Sequence, residues 1–323
     1  MPKATAVAYA IQGLVKYHGL KDKRRRIPFH DSISVCAEAL TTKATVEFDQ
    51  DYSQDIIEIN GKPATELEAT RVLAVVSHIR SIAKSKKHFK LLSINSLTEG
   101  KGLGFSAAAF AAISLASSKA VGLELTLEGL SEIARLGAGS ASRSVVGGFS
   151  IWYAQRDGRS YARQLASGED LSLAMVIVPI PSQVKTDRAH EESESSAFFQ
   201  ARLREVKGRL REMLSAIRRQ DVDAIGRLAE ADTRSLHAVT MTGKSGLILM
   251  APEALHVIER VLTLREREHV PVWYSLDTGP SVYLNTRSEF VDVICRDIEA
   301  NVGVSVLKSG VAGPAHMVEE HLF

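Results

Sequence analysis

Only two cysteines, Cys36 and Cys295, stand in 323 residues, far apart and outside any CxxC spacing. That scarcity argues against a disulfide framework and a thiolate zinc site, and it fits a reducing cytoplasmic setting. Neither sign of charge prevails: 40 Lys+Arg face 38 Asp+Glu, a formal net charge of +2. A dedicated nucleic-acid domain would carry a clear basic excess. No apolar run reaches the roughly 18 residues of a membrane span. The opening segment MPKATAVAYAIQGLVKYHG has neither the apolar core nor the cleavage pattern of a signal peptide. The histidines form no HxxxH or HExxH pair, so no histidine metal centre is expected. The GxSxG elbow, the Walker loop and the GxGxxG fingerprint are all missing, which sets aside the chemistries they serve. A globular protein remains, long enough for two lobes and a substantial core.

Residues 4–17 alternate and then run apolar, which predicts a strand. Ser32–Leu40 and Thr42–Phe48, rich in Val, Ile and Thr, predict two more. Between them Lys21–Arg26 is a basic run. It reads as a solvated hairpin loop, or as a nuclear signal or phosphate-backbone contact; the absence of interleaved aromatics favours the loop. Ile56–Ile59 before Asn60-Gly61 predicts a hairpin, and Thr65–Ser85 a helix with Leu67, Val72, Leu73, Val76 and Ile79 on one face. Lys90–Asn95 and Leu173–Val178 predict strands, and Pro179 and Pro181 mark a boundary between lobes 1–180 and 181–323. Lys185–Ser196 is polar and reads as a mobile loop. Beyond it, Leu203, Val206, Leu210, Met213 and Ile217 define an amphipathic helix. Helices are also expected at Asp221–Ala231, Pro252–Arg265 and Ser288–Ile298, and strands at Val270–Leu276, Val282–Leu284 and Val304–Leu307.

Three blocks carry chemistry. Gly100-Lys101-Gly102-Leu103-Gly104 runs straight into an Ala-rich helix at Ser106–Ala120. Glycines let backbone N–H groups approach a ligand, and a helix N-terminus favours anions, so the block suits phosphates. It also suits a tight turn before a closely packed helix. In Gly137–Gly148 a helix would place Ser140, Arg143 and Ser144 on one face. An Arg fork beside hydroxyls suits a carboxylate or phosphate, though a structural ion pair would use the same residues. Asp277 sits where a strand yields to Thr278-Gly279-Pro280, a place for a catalytic carboxylate or for an Asx turn.

With Val15-Lys16-Tyr17-His18-Gly19 near the start, these blocks together resemble the mevalonate diphosphate decarboxylase branch of the GHMP kinase superfamily, over nearly the whole chain. The resemblance implies an α+β, two-lobed GHMP kinase fold, with a ribosomal-protein-like N-terminal lobe and a ferredoxin-like C-terminal lobe around a cleft. It implies ATP as co-substrate with Mg2+ as its counter-ion and a homodimer; the balanced charge and the lack of a long apolar run point to no nucleic-acid or membrane partner. The implied reaction phosphorylates the C3 hydroxyl of a phosphorylated mevalonate, after which phosphate and CO2 leave. Residue by residue, Asp277 falls on the catalytic aspartate, Lys16 on the lysine near the reacting hydroxyl, and Arg143 on the arginine that orients the carboxylate. Tyr17 and Ser140 fall on substrate contacts, Arg188 on an arginine for the substrate phosphate, and Arg71 on a further substrate arginine. Gly102, Gly104 and Ser106 fall on the ATP-phosphate loop.

The departures from that pattern are informative. The family reads Lys-Tyr-Trp-Gly-Lys where this chain has His18 for the Trp and Leu20 for the second Lys. Ala138 replaces a serine of the mid-chain motif, Phe105 the first serine of the ATP loop, and His30 an asparagine. The lysine and the mid-chain serine serve the diphosphate end. A charge-assisted contact to phosphate is worth roughly 1.5–3 kcal/mol, so their loss favours mevalonate 5-phosphate as substrate, unless Lys185 or Lys21 compensates. The alternatives are the 5-diphosphate decarboxylase, a mevalonate kinase of the same fold, and a catalytically silent binding protein using Lys21–Arg26.

Overall fold

The computed structural model describes residues 3–97, 102–181 and 186–323, with only the backbone of Thr186 and Asp187. The first lobe is laid down by β1 (Lys3–Val15), β2 (Leu20–Asp22), β3 (Ile27–Pro28), β4 (Ser32–Asp49), β5 (Ile56–Ile59), β6 (Lys62–Pro63), α1 (Glu66–Ala83) and β7 (His88–Asn95). It continues with α2 (Phe105–Ala120), α3 (Leu127–Gly137), α4 (Ala141–Val146), β8 (Phe149–Trp152) and β9 (Ala162–Ala166). β10 (Ala174–Val178) leads into the second, with α5 (Thr186–Glu194), α6 (Phe199–Arg218), α7 (Val222–Met241), α8 (Pro252–Arg267), β11 (Trp273–Ser275), β12 (Val282–Thr286), α9 (Val291–Val302) and β13 (Leu307–Ser309). A last strand, β14 (His316–Val318), pairs back onto β1.

The larger sheet runs β14-β1-β4-β7-β5-β6, with β8 and β9 extending from β4. The smaller is antiparallel, β11-β12-β10-β13. β10 precedes residue 180 yet pairs in the smaller sheet, so a division at 180 follows the helices more closely than the strands. Among the described residues no helix is long and apolar enough to cross a membrane.

Local chemistry explains the frame. Small residues on β1 (Ala4, Ala6, Ala8) and α2 (Ala111, Ala112, Ala116) are buried in one cluster, which lets the helix lie close on the strand. Thr65 and Glu68 close a capping box that starts α1. A second cluster fills the junction of the lobes, joining Leu14, Ile33 and Ala108 to Val206, Met213, Ile225 and Tyr283. A third packs α8 and α9 on the smaller sheet.

Four expectations change. The two strands at 32–40 and 42–48 are one, β4, whose first part pairs β8 and whose second pairs β7. The expected strand at 304–307 begins only at Leu307. The segment expected to be a mobile loop is largely α5. Its polar composition hides a docked face: Ala189, His190 and Ser193 are buried, and tertiary contact overrides local propensity. Elements α3, β8, β9 and β14 were not expected. The basic run at 21–26 is the β2–β3 hairpin, with Lys23 paired to Glu191 of α5.

Candidate active site

β1 ends at the junction of the lobes and delivers Lys16 there, buried. β11 arrives from the other lobe and delivers Asp277 in the turn behind it. The two meet at Gly13. Both carboxylate oxygens of Asp277 accept from the Gly13 N–H, at 3.0 and 3.2 Å. The Lys16 ammonium donates to Ser275 Oγ at 2.9 Å and to the Ala229 carbonyl at 3.4 Å. A Cβ on Gly13 would stand 2.8 Å from Asp277 Oδ1 and 2.8 Å from Lys16 Cγ, so only hydrogen fits between the two groups.

Burial pushes the Asp277 carboxyl up to about 6, against the pull of Lys16, the Gly13 N–H and Arg143. Burial pushes Lys16 down, and Asp232 and Asp277 oppose it. A carboxyl poised below neutrality beside an ammonium can accept a hydroxyl proton and offset charge on a transferred group.

Arg143 comes from α4, the short helix opened by Gly139 and Ser140. It is 2% exposed, and its Nε and Nη1 find no hydrogen-bond partner among the described residues. Its guanidinium lies 5.6 Å from the Tyr17 ring and 6.0 Å from Trp152. Each unsatisfied buried donor costs about 1–3 kcal/mol, more when charged, and an anion at this fork would relieve that cost. Burial lowers its pKa, opposed by Tyr17 and Asp277. Ser140 stands at the N-cap of α4, half-buried, without a capping bond. Ser144 turns elsewhere and donates to the Tyr9 carbonyl at 2.6 Å. Tyr17 meets Trp152 edge-on at 5.0 Å and stacks on His190 of α5 at 5.1 Å.

The glycine loop closes the same cleft. Gly102 and Gly104 hold left-handed backbone, with φ of 74° and 77°. A Cβ on Gly102 would lie 2.5 Å from the Gly279 carbonyl oxygen, and one on Gly104 would lie 2.5 Å from that of Ile11. The loop is thus wedged between the Asp277 turn and β1. α2 then begins with no acidic side chain in its first turn and no side-chain cap, and Ser106 is exposed there. A helix start of this kind favours an anion. Lys101 and residues 98–100 lie outside the described residues, as does Lys185.

Two other expected arginines lie on helices, Arg188 on α5 and Arg71 on α1. Arg188 is exposed on α5, where its charge helps to lower the Glu192 carboxyl, behind the Ser245 hydroxyl and against burial. Arg71 donates to the Gly137 carbonyl at 2.8 Å and lies 4.9 Å from the Phe110 ring, so it braces the chain ahead of Gly139. Among the described residues no three His, Cys, Asp or Glu side chains gather as a metal site. The sequence reading missed Gly13, Asp232, Ser275, His190 and His237. A glycine inside a strand pattern often marks close approach and could have flagged Gly13.

Known proteins match this chain along its length. Residues 8–162 match the diphosphomevalonate decarboxylase-like N-terminal domain, and residues 184–312 the mevalonate 5-diphosphate decarboxylase C-terminal domain. Phosphomevalonate decarboxylase of Haloferax volcanii is 40% identical over 319 residues, covering 98% of each chain. Human diphosphomevalonate decarboxylase is 28% identical over 313 residues, 87% of this chain and 77% of the relative. Mevalonate diphosphate decarboxylase of Staphylococcus aureus superposes with a TM-score of 0.91 at 28% identity over 98% of both chains. A solved structure described as "MDDEF in complex with MVAPP, AMPPCP and Magnesium" gives 0.91 at 26% identity, over 98% of this chain and 99% of its own. The two-lobed α+β architecture is that of the GHMP kinases. The chain belongs to the diphosphomevalonate decarboxylase family, ATP-dependent carboxy-lyases.

Proposed function

We propose that this enzyme converts mevalonate 5-phosphate and ATP to isopentenyl phosphate, CO2, ADP and phosphate. The observation that carries the reading is the Lys16–Asp277 pair at Gly13 with the unpartnered Arg143 fork lining the same junction. Asp277 accepts the proton of the C3 hydroxyl as its oxygen attacks the γ-phosphorus of ATP. The Lys16 ammonium offsets charge on the transferred group. Gly102, Gly104, Ser106 and the first turn of α2 hold the ATP phosphates. Mg2+, bound with the nucleotide, supplies charge neutralisation on those phosphates. Arg143 holds the substrate carboxylate, with Tyr17 and Ser140 beside it. The C1–C2 bond then breaks, CO2 leaves, its electron pair forms the C2=C3 double bond, and the C3–O bond breaks to release phosphate.

The preference for one phosphate rests on the segment after Tyr17. His18 is buried and packs edge-on against His190 at 5.1 Å. Burial, then His190, holds it well below the usual histidine range, and so neutral. Glu194 accepts from the Leu20 N–H at 2.9 Å, which places a carboxylate where the family carries a lysine. A second phosphate would meet that charge, while Arg188 on the same helix serves a single one. The Haloferax volcanii relative, named for phosphomevalonate, supports this choice. Arg71 supports the Gly139–Ser140 block from behind. The reading carries a cytoplasmic homodimer, which sedimentation at micromolar concentration tests for its mass. The decisive comparison is kcat/KM for CO2 release from mevalonate, its 5-phosphate and its 5-diphosphate. The 5-phosphate is expected to lead; a lead for the 5-diphosphate would overturn the choice.

A further inference from the structure

α7 lies beside the Lys16–Asp277 pair and touches its surroundings repeatedly along one face. The Ala229 carbonyl accepts from Lys16 Nζ at 3.4 Å, and Asp232 Oδ2 accepts from the Lys16 backbone N–H at 2.8 Å. Thr233 Oγ1 accepts from the Leu276 N–H at 3.2 Å, and His237 Nε2 lies 3.1 Å from the Asp277 carbonyl oxygen. Spacings of three and four residues align these positions on the helix.

Asp232 is the charged member of this face, and it is fully buried. Arg202 and Arg209 of α6 pair with it at 3.2 and 3.0 Å. Arg202 also donates to the Lys16 carbonyl at 2.9 Å. The Lys16 residue is therefore gripped at both ends, by Asp232 at its N–H and by Arg202 at its C=O. A buried ion pair is a weak device for stability alone, because apolar side chains of similar volume often serve as well. Its position around one reactive lysine calls for another reason.

We propose that Asp232 is a positioning residue for the reaction: with Arg202 it clamps the Lys16 backbone, and it supplies the fixed negative charge that the buried Lys16 ammonium needs opposite Asp277. The inference rests on the role given to Lys16 above.

Asp232 is an anion throughout the working range. Burial would raise its carboxyl, but Arg202, Lys16 and Arg209 carry it down to about 2. The groups facing Lys16 are Asp232 and His237 from α7, Arg202 and Arg209 from α6, Asp277 from the turn behind β11, and His18 from its own loop. Burial lowers Lys16; Asp232 and Asp277 raise it; Arg202 and Arg209 lower it. Removing the Asp232 charge must therefore move the Lys16 titration to lower pH, and removing the Arg209 charge must move it to higher pH. A merely structural role would not produce opposite shifts.

The experiment is kcat for CO2 release against pH, with saturating ATP and mevalonate 5-phosphate, in the parent, Asp232→Asn and Arg209→Met. Asp232→Asn keeps the shape and an acceptor for the Lys16 N–H. It is expected to lose about tenfold in kcat at neutral pH, with KM for ATP within about twofold, and its basic limb is expected to move down by about one pH unit. Arg209→Met, nearer the surface, is expected to move that limb up. Should Asp232→Asn fail to fold, the sign of the Arg209→Met shift decides alone. An unmoved limb in either folded variant, or shifts of the same sign in both, overturns the inference. Lys16→Met separates the two levels: full turnover there removes the role of Lys16 itself. An inactive Lys16→Met with unmoved limbs in the other variants removes only Asp232.

Discussion

Gly13→Ala places one methyl group between Asp277 and Lys16. The new Cβ would stand 2.8 Å from a carboxylate oxygen and 2.8 Å from the lysine stem, where ordinary contact begins near 3.4 Å. If the strand holds, each group must retreat by about 0.6 Å, in opposite directions. Lys16 Cγ lies near the start of a buried side chain, so the cost to stability falls within the roughly 1–3 kcal/mol typical of overpacking. Gly13 is not among the positive-φ glycines, so alanine adds no backbone strain. The chemistry is less tolerant. Misplacement by about 1 Å at a reacting centre can cost on the order of a hundredfold. We therefore expect kcat to fall by about 10- to 100-fold, with KM for ATP changed by less than about threefold, because the Gly102–Gly104 loop is untouched. Steady-state ADP and CO2 release, alongside a melting curve, reads all three quantities. A folded Gly13→Ala protein with parental kcat would refute the argument that this glycine sets the spacing of the pair.

Other outcomes follow from the same geometry. Asp277→Asn is expected to abolish CO2 release while nucleotide binding, read by calorimetry, stays nearly intact; near-normal turnover would remove Asp277 from the chemistry. Arg143→Met fills the volume without the charge and relieves its unsatisfied donors, so the protein should be at least as stable as the parent yet inactive; retained activity on mevalonate 5-phosphate would end its carboxylate role. The Asp277 carboxyl, raised to about 6, must be ionised to accept a proton, so kcat should fall as pH drops through about 6 and hold above it until the basic limb set by Lys16; a flat profile down to pH 4.5 would contradict this. Glu194→Gln removes the carboxylate beside Leu20, and kcat/KM for the 5-diphosphate relative to the 5-phosphate should rise about tenfold; an unchanged ratio would show that Glu194 does not read the phosphate count.

What could be read in advance was what leaves a mark along the chain. Lys16, Arg143, Asp277 and the glycine loop sit in blocks whose spacing is distinctive, and the structure gathers all four at one junction. The loop at 21–26 shows as a short basic run without aromatics, and the helix after Thr65 by its apolar periodicity. The rest depends on contacts between distant segments. α5 looks like a polar loop because its structure comes from docking His190, Ser193 and Glu194 onto residues 18–20, which composition does not reveal. Gly13 has no side chain to draw notice. Asp232 looks like one of many helix-surface carboxylates until Arg202 and Arg209, on another helix, are seen to bury it. The bond from Arg71 Nε to the Gly137 carbonyl likewise joins distant segments and leaves no mark along the chain.

The central claim is that one cleft both phosphorylates and decarboxylates a singly phosphorylated mevalonate. The most direct measurement is a rapid-quench single turnover with ATP and mevalonate 5-phosphate labelled at the carboxylate, counting ADP and CO2 together. The account predicts one CO2 for each ADP, with ADP forming no later than CO2. ADP accumulating without CO2 would make the protein a kinase of this fold, and absence of both with this substrate would contradict the account outright.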